Sequence, residues 1–314
     1  MIVRDRPSGL HLFLLLRGSV LHRIRVTLIL NTVLATLVTI VHGNLFTLKI
    51  TLTAIPFTLI GLPLAIFLGF RNNTAYDRYW EARKLWGELV LRSRSLSRQC
   101  QSFIAMAHPV VAGQTREDDV RVRMVHRAIA FVHALRLQLR AEKDDALLQR
   151  WILPAEFARI RSTTNPADAL MLAMGQDLGE CVRSGQISPC LAASIDQTIS
   201  ALTAAGASCE RIKHTPIPFS YTLLLHRTAY MYCFLLPFGL VDTTGFMTPF
   251  VVAIVAYTFF GLDALGDEIE EPFGLETNDL PLDTLCRSIE ISLLESLGET
   301  DLPAPLQPVN FQLT

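Results

Sequence analysis

The chain has 314 residues, with 28 Lys and Arg against 29 Asp and Glu, and its net charge of −1 leaves no electrostatic footprint for nucleic acid. Half of the residues are hydrophobic, 18% are charged and the mean hydropathy is +0.35, whereas soluble domains carry about 25% charged residues. That composition excludes an ordinary soluble domain and marks an integral membrane protein. Six cysteines, at 100, 181, 190, 209, 233 and 286, show no CxxC or CxxH spacing and indicate neither a zinc site nor a disulfide framework.

Residues 1–25 carry Arg4, Arg6, Arg17, Arg23 and Arg25 without a small-residue cleavage site behind a short apolar core, so this segment is expected to be mature and cytosolic. Four apolar segments follow, at 26–41, 50–70, 219–241 (interrupted by His226 and Arg227) and 243–262. The first falls below the roughly 17 to 25 residues of a usual span, so it either extends to His42 and Gly43 at the interface or thins the bilayer; a buried soluble helix competes. The second is an uncharged run long enough to cross about 30 Å of hydrocarbon at about 1.5 Å per residue. Pro56, Gly61, Pro63 and Gly69 interrupt it, and such breaks survive where freed backbone groups meet other helices or water. This span is expected to face a cavity.

The connectors after the first and third segments are poor in Lys and Arg, whereas Arg71, Arg78, Arg83, Lys84, Arg92, Arg94 and Arg98 follow the second. The positive-inside rule puts both hairpins outside and both termini in the cytosol. Residues 71–218 carry helical periodicity through 79–104, 120–139 and 195–212. Breakers divide them: His108-Pro109 ends one helix, Leu153-Pro154 another, Asn165-Pro166 opens a third and 185–189 separates the last pair. No strand-like alternation occurs. Residues 263–314 comprise an acidic stretch, an apolar helix over 284–297 and a proline-punctuated, extended tail.

Groups that could do chemistry are scattered. The histidines at 11, 22, 42, 108, 126, 133, 214 and 226 form no HExxH or triad-like pattern, and no GxSxG or GxGxxG occurs. His126 and His133 share a helix face, which is several times more often solvated or capped than a metal site. Asp263, Asp267, Glu268, Glu270 and Glu271 admit two readings of equal weight: hard-oxygen ligands for a cation, or a helix end facing the basic cluster, worth about 1 kcal/mol or less per exposed pair. The series Tyr76, Arg78, Tyr79, Trp80 and Trp86 is expected to anchor and pack at the interface rather than stack nucleobases. Leu62, Ile66 and Phe70, four apart, line one helix face. They form either an ordinary packed stripe or, repeated by symmetry, an apolar constriction that closes by dewetting; the flanking breakers favour the second.

Three stretches, IPFTLIGLPLAIFLGFRNNTAYDRYWEAR at 55–83, TPIPFSYT at 215–222 and EEPFGLETNDLPLD at 270–283, resemble the bestrophin family in its bacterial branch. The resemblance runs through nearly the whole chain in order and is loose only over 105–185. It implies an all-α homopentamer around one axial pore, with four transmembrane helices per subunit and a helical cytosolic vestibule, passing monovalent ions passively in a bacterial inner membrane. The domains would be 1–25 cytosolic, 26–70 spans one and two with the neck, 71–218 vestibule, 219–262 spans three and four, and 263–314 a cytosolic helix and tail. The family's neck maps to Leu62, Ile66 and Phe70.

The resemblance also marks departures. Animal members carry an acidic calcium clasp between PFG and ETN, where this chain has only Leu275. Glu270, Glu271, Glu276 and Asp279 remain as candidate ligands but make a poor six-to-eight-oxygen cage, so no cofactor is expected. Ile66 stands where animal channels place phenylalanine, whose positive ring edge favours anions; isoleucine has no such edge, which leaves selectivity between chloride and sodium open. The cytosolic aperture falls at Cys190, with Ile187 as the alternative; both are also read as a plain helix start. The expected partners are further copies of the chain, the lipid bilayer and monovalent ions, with no nucleic acid. The competing class is a membrane-anchored helical protein that recruits a cytosolic partner and conducts nothing, and an enzyme would need a convergent polar constellation that the spans lack.

Overall fold

Residues 21–40 form the first helix, α1 (Leu21–Ile40). It begins ahead of the apolar run and takes in His22, Arg23 and Arg25, because long basic side chains lay their stems along a helix while their charges reach outward. At about 1.5 Å per residue it is about 30 Å long, so it needs neither an extension beyond residue 41 nor a thinned bilayer. The computed structural model describes residues 1–3, 18–41, 44–45, 48–49, 53–105 and 119–314. The expectations placed on Arg4, Arg6, Arg17, His11, His42, Gly43, Ile50, His108 and Pro109 lie outside the described residues.

Two-residue strands β1 (Asn44–Leu45) and β2 (Leu48–Lys49) pair antiparallel, too short for any alternation to show in sequence. The next helix, α2 (Ala54–Phe103), is unbroken over 50 residues. The interruption expected from its prolines and glycines is not there. Pro56 falls in the first turn, where backbone N–H groups have no intrahelical partner, and Pro63 deletes a single rung from a long ladder. Gly61 has a packing reason, since a Cβ there would lie 2.9 Å from the Tyr232 hydroxyl.

The remaining helices are α3 (Val120–Arg140), α4 (Asp145–Gln149), α5 (Pro154–Arg161), α6 (Pro166–Arg183), α7 (Pro189–His214), α8 (Phe219–Thr244), α9 (Thr248–Glu270) and α10 (Leu282–Ser296). The breakers act as starts: proline takes the first position of α5, α6 and α7, where its fixed φ suits the helix and its missing N–H is no loss. Asn165 and Ser188 cap α6 and α7 by accepting from Asp168 and Leu191. Gly185, at φ +73°, turns the chain out of α6 in the left-handed region. A tight turn at Gly245–Met247 joins α8 to α9.

The chain divides into two compact units, one of residues 1–3, 80–215 and 273–314, the other of 4–79 and 216–272. In the first, α3 is buried on nearly every side, with α6, α7 and α10 against it. In the second, α1, α8 and α9 pack on one another. Ala35, Phe57, Leu236 and Val252 join α2 to that bundle, as do Leu64, Leu225 and Ala229. Three helical stretches among the described residues are long and apolar enough to cross a membrane: Leu21–Ile40, Ile55–Phe103 and Phe219–Glu270. The last comprises α8, the turn and α9. The regular elements among the described residues are helical apart from β1 and β2, and beyond α10 the tail is extended, with isolated bridges pairing Ile2 with Gln312 and Val309 with Gln312.

Candidate functional site

Between residues 55 and 79, α2 buries a single narrow stripe: Phe57, Leu64, Leu68, Arg71 and Ala75. At about 100° per residue these five fall within about 40° of one direction. Leu62, Ile66 and Phe70 fall about 140°, 180° and 220° from it, so they occupy the opposite side of the helix. They are 66%, 47% and 58% exposed. These large apolar side chains, centred opposite the packed stripe, stay about half or more exposed within one chain, and Phe70 meets the Phe67 ring edge-on with centroids 6.3 Å apart.

One residue beyond Phe70 the environment inverts. Arg71 is fully buried, and its guanidinium reaches three carboxylates of α9. Nη1 donates to Asp263 Oδ1 at 2.8 Å and to the Asp263 carbonyl at 3.3 Å, Nη2 donates to Asp267, and Glu270 lies 3.8 Å away. The other Asp263 oxygen is 2.7 Å from His226 Nδ1 on α8, where the His226 ring stacks at 4.2 Å on Tyr230. Arg23 of α1 reaches Asp267 at 4.0 Å. Two further tethers hold the same stretch of α2: Asn72 Nδ2 donates to the Leu262 carbonyl at 3.0 Å and the Tyr221 hydroxyl donates to the Phe67 carbonyl at 3.1 Å. The acidic group at the end of α9 thus faces a basic residue. That residue is buried, however, so the modest worth expected of an exposed pair does not apply.

The other candidates are dispersed. Glu270 accepts from the Ile217 N–H at 3.0 Å and, through its carbonyl, from Arg78 at 3.2 Å. Glu271 ends α9, and Asp279 Oδ2 accepts from the Glu276 N–H at 2.7 Å. Among the described residues, no three His, Cys, Asp or Glu are grouped as metal ligands. At the start of α7, Cys190 is exposed whereas Ile187 is buried. His133 is not solvated; it is buried with Nε2 3.3 Å from Glu290, and His126 lies edge-on to Trp151 at 5.7 Å between centroids. The sequence reading of an acidic helix end facing the basic cluster covers Arg71 and Asp263; what sequence reasoning missed is that Arg71 is buried and that His226 shares Asp263.

Comparison with known proteins joins this geometry to a family. The profile of the Bacterial/Fungal Bestrophin protein family matches residues 1–295. The chain belongs to the bestrophin family. This bestrophin is 42% identical over 316 residues, the full length of both chains, to the voltage-dependent anion channel-forming protein YneE of Escherichia coli K12. It is 46% identical over 301 residues to a voltage-dependent anion channel-forming protein of Mesorhizobium japonicum, covering 95% of this chain and 93% of the relative. The crystal structure of a bacterial bestrophin homologue from Klebsiella pneumoniae superposes with a TM-score of 0.81 at 36% identity, covering 88% of this chain and 99% of that one. Both the exposed stripe and the buried Arg71 cluster lie inside the family match, and the apolar helices are those of a membrane protein.

Proposed function

We propose that this bestrophin assembles as a homopentamer around one axial pore and conducts monovalent ions passively across a bacterial inner membrane, with both termini in the cytosol. Each subunit supplies four spans: α1, the 55–70 part of α2, α8 and α9. Leu62, Ile66 and Phe70 form the apolar neck, and Cys190 rather than the buried Ile187 lines the cytosolic aperture.

The observation that carries this reading is the exposed apolar stripe centred opposite the packed face of α2. A side chain such as Ile66, half exposed in one chain, needs either lipid or further copies of itself. Five stripes facing an axis strip water from a crossing ion, and such a constriction gates by dewetting. The relatives' names, voltage-dependent anion channel-forming proteins, support ion conduction. A calcium requirement is not proposed, because a single Leu275 stands where animal members carry the acidic clasp, leaving too few carboxylates for a six-to-eight-oxygen cage.

The test is current through the purified protein in planar bilayers under asymmetric sodium chloride. Ile66→Ala is expected to raise conductance several-fold by widening the constriction, and Ile66→Phe to move the reversal potential toward the chloride limit, since ring edges favour anions. The sign of the native reversal potential names the permeant ion. Absence of current even in Ile66→Ala overturns the channel reading and leaves a membrane-anchored helical protein.

A further inference from the structure

We propose that the buried Arg71 cluster is the positioning element of the neck: it fixes the rotation of α2 about its own axis and thereby how far Ile66 and Phe70 project into the pore. This inference rests on the neck reading above and adds to it the residues that set the aperture without lining it.

Three observations carry it. Arg71 has no exposed surface and spends its guanidinium on α9, against Asp263 and Asp267 with Glu270 at 3.8 Å. Because successive residues of a helix are turned by about 100°, locking Arg71 toward α9 sets Phe70 about 100° and Ile66 about 140° away from that direction. Second, three side-chain tethers fall between residues 67 and 72, about one and a half turns, with the Phe67 carbonyl held by Tyr221, Arg71 by Asp263, and Asn72 by the Leu262 carbonyl. That stretch contains Phe70. Third, α9 has a glycine where it meets this stretch. A Cβ on Gly266 would overlap Asn72 Oδ1 and lie 3.3 Å from Arg71 Nη1, so the clamp side chains occupy the space that a side chain at 266 would need.

Energetics point the same way. Burying an arginine among carboxylates costs desolvation that an apolar residue would not incur, so such clusters are a weak source of net stability. What the bidentate fork supplies is direction, because a guanidinium that bridges two fixed carboxylates cannot rotate without breaking one of them. Around the buried guanidinium, the side chains of Arg23, His226 and Asp267 are 49%, 44% and 34% exposed.

The decisive experiment is a double-mutant cycle on unitary current in planar bilayers. Asp263→Asn keeps the shape of the clamp and removes one charge; Gly266→Ala displaces the Asn72 amide and crowds the Arg71 guanidinium. Each is combined with Ile66→Ala, with thermal unfolding and assembled mass measured in parallel. Both clamp variants are expected to assemble and to change unitary conductance about threefold or more, an effect that shrinks once residue 66 is alanine, as coupled neighbours require. Arg71→Lys should reproduce the clamp phenotype, because an ammonium on a flexible stem lacks the rigid planar fork that fixes direction. If Asp263→Asn fails to assemble, Gly266→Ala and Asn72→Ala, each made singly, decide the outcome. Native unitary current in assembled clamp variants, or an effect that simply adds to that of Ile66→Ala, overturns the proposal. An Ile66→Ala current identical to native instead removes the neck reading beneath it.

Discussion

Asn31 sits in the middle of α1 with no exposed surface, and neither its amide nitrogen nor its oxygen has a hydrogen-bond partner. A buried polar group left unpaired costs about 1–3 kcal/mol. Leucine has similar bulk and no such demand, so Asn31→Leu is expected to raise thermal stability in detergent by about 1–3 kcal/mol, seen as a higher melting temperature. A fall would show that the amide is bonded in the assembled bundle. Gly239 tells the opposite story. A Cβ there would overlap the ring of Phe57, so α8 approaches α2 only because residue 239 has no side chain. Gly239→Ala should lower stability by about 1–3 kcal/mol through overpacking, and Phe57→Leu in the same chain should recover part of the loss.

Among the elements, α10 shows how charge docks a helix. Asp283 near its start accepts from Arg140 at 2.7 Å and from Arg136, and Glu290 further along lies 3.3 Å from His133 of α3. Burial pushes the Asp283 carboxyl up, but the Arg140 hydrogen bond and the charges of Arg140 and Arg136 outweigh it and hold it below its ordinary value. Glu290 is likewise pushed up by burial and brought below its ordinary value by His133 and Arg287. Both pKa values are lower folded than unfolded, so their stabilisation is present above the ordinary carboxylate range of about 4 and is lost as pH falls through the depressed values. The melting temperature is therefore expected to be flat from about pH 7 to 5 and to drop below about pH 4. Asp283→Asn should cost about 2 kcal/mol at neutral pH, between an exposed and a fully buried pair, and flatten the acid limb. The tail contributes too. No side chain caps α10, and the Thr284 N–H donates to the Thr314 main-chain oxygen at 2.9 Å.

How much of this was readable in the chain depends on range. The helical class, the Asn165-Pro166 start and the placing of Leu62, Ile66 and Phe70 on one face of α2 are local signals, and each has its counterpart in the structure; Leu153-Pro154, read as a helix end, instead opens α5. His133 was misread because periodicity reveals a wet face only where one exists, and α3, enclosed by α6, α7 and α10, has almost none. Arg71 was grouped with the exposed basic residues because composition weighs charges by position along the chain. Only the arrival of Asp263 and Asp267, nearly two hundred residues later, turns it inward.

At the scale of the whole molecule, the proposed pentamer predicts that light scattering in detergent returns five copies of the 35.0 kDa chain, and one or two copies would contradict it. The exposed stripe on α2 also bears on how such a protein is made. In the proposed pentamer, a freshly synthesised subunit would enter the bilayer before meeting its neighbours, and Leu62, Ile66 and Phe70 would then face hydrocarbon, which tolerates them. Once copies closed around the proposed axis, the same surface would face a thread of water, which does not wet it. The property that lets one subunit wait in lipid would thus be the one that keeps the finished pore dry at rest. Opening the neck with polar residues should therefore impair biogenesis, so that leaky variants reach the membrane as fewer assembled rings.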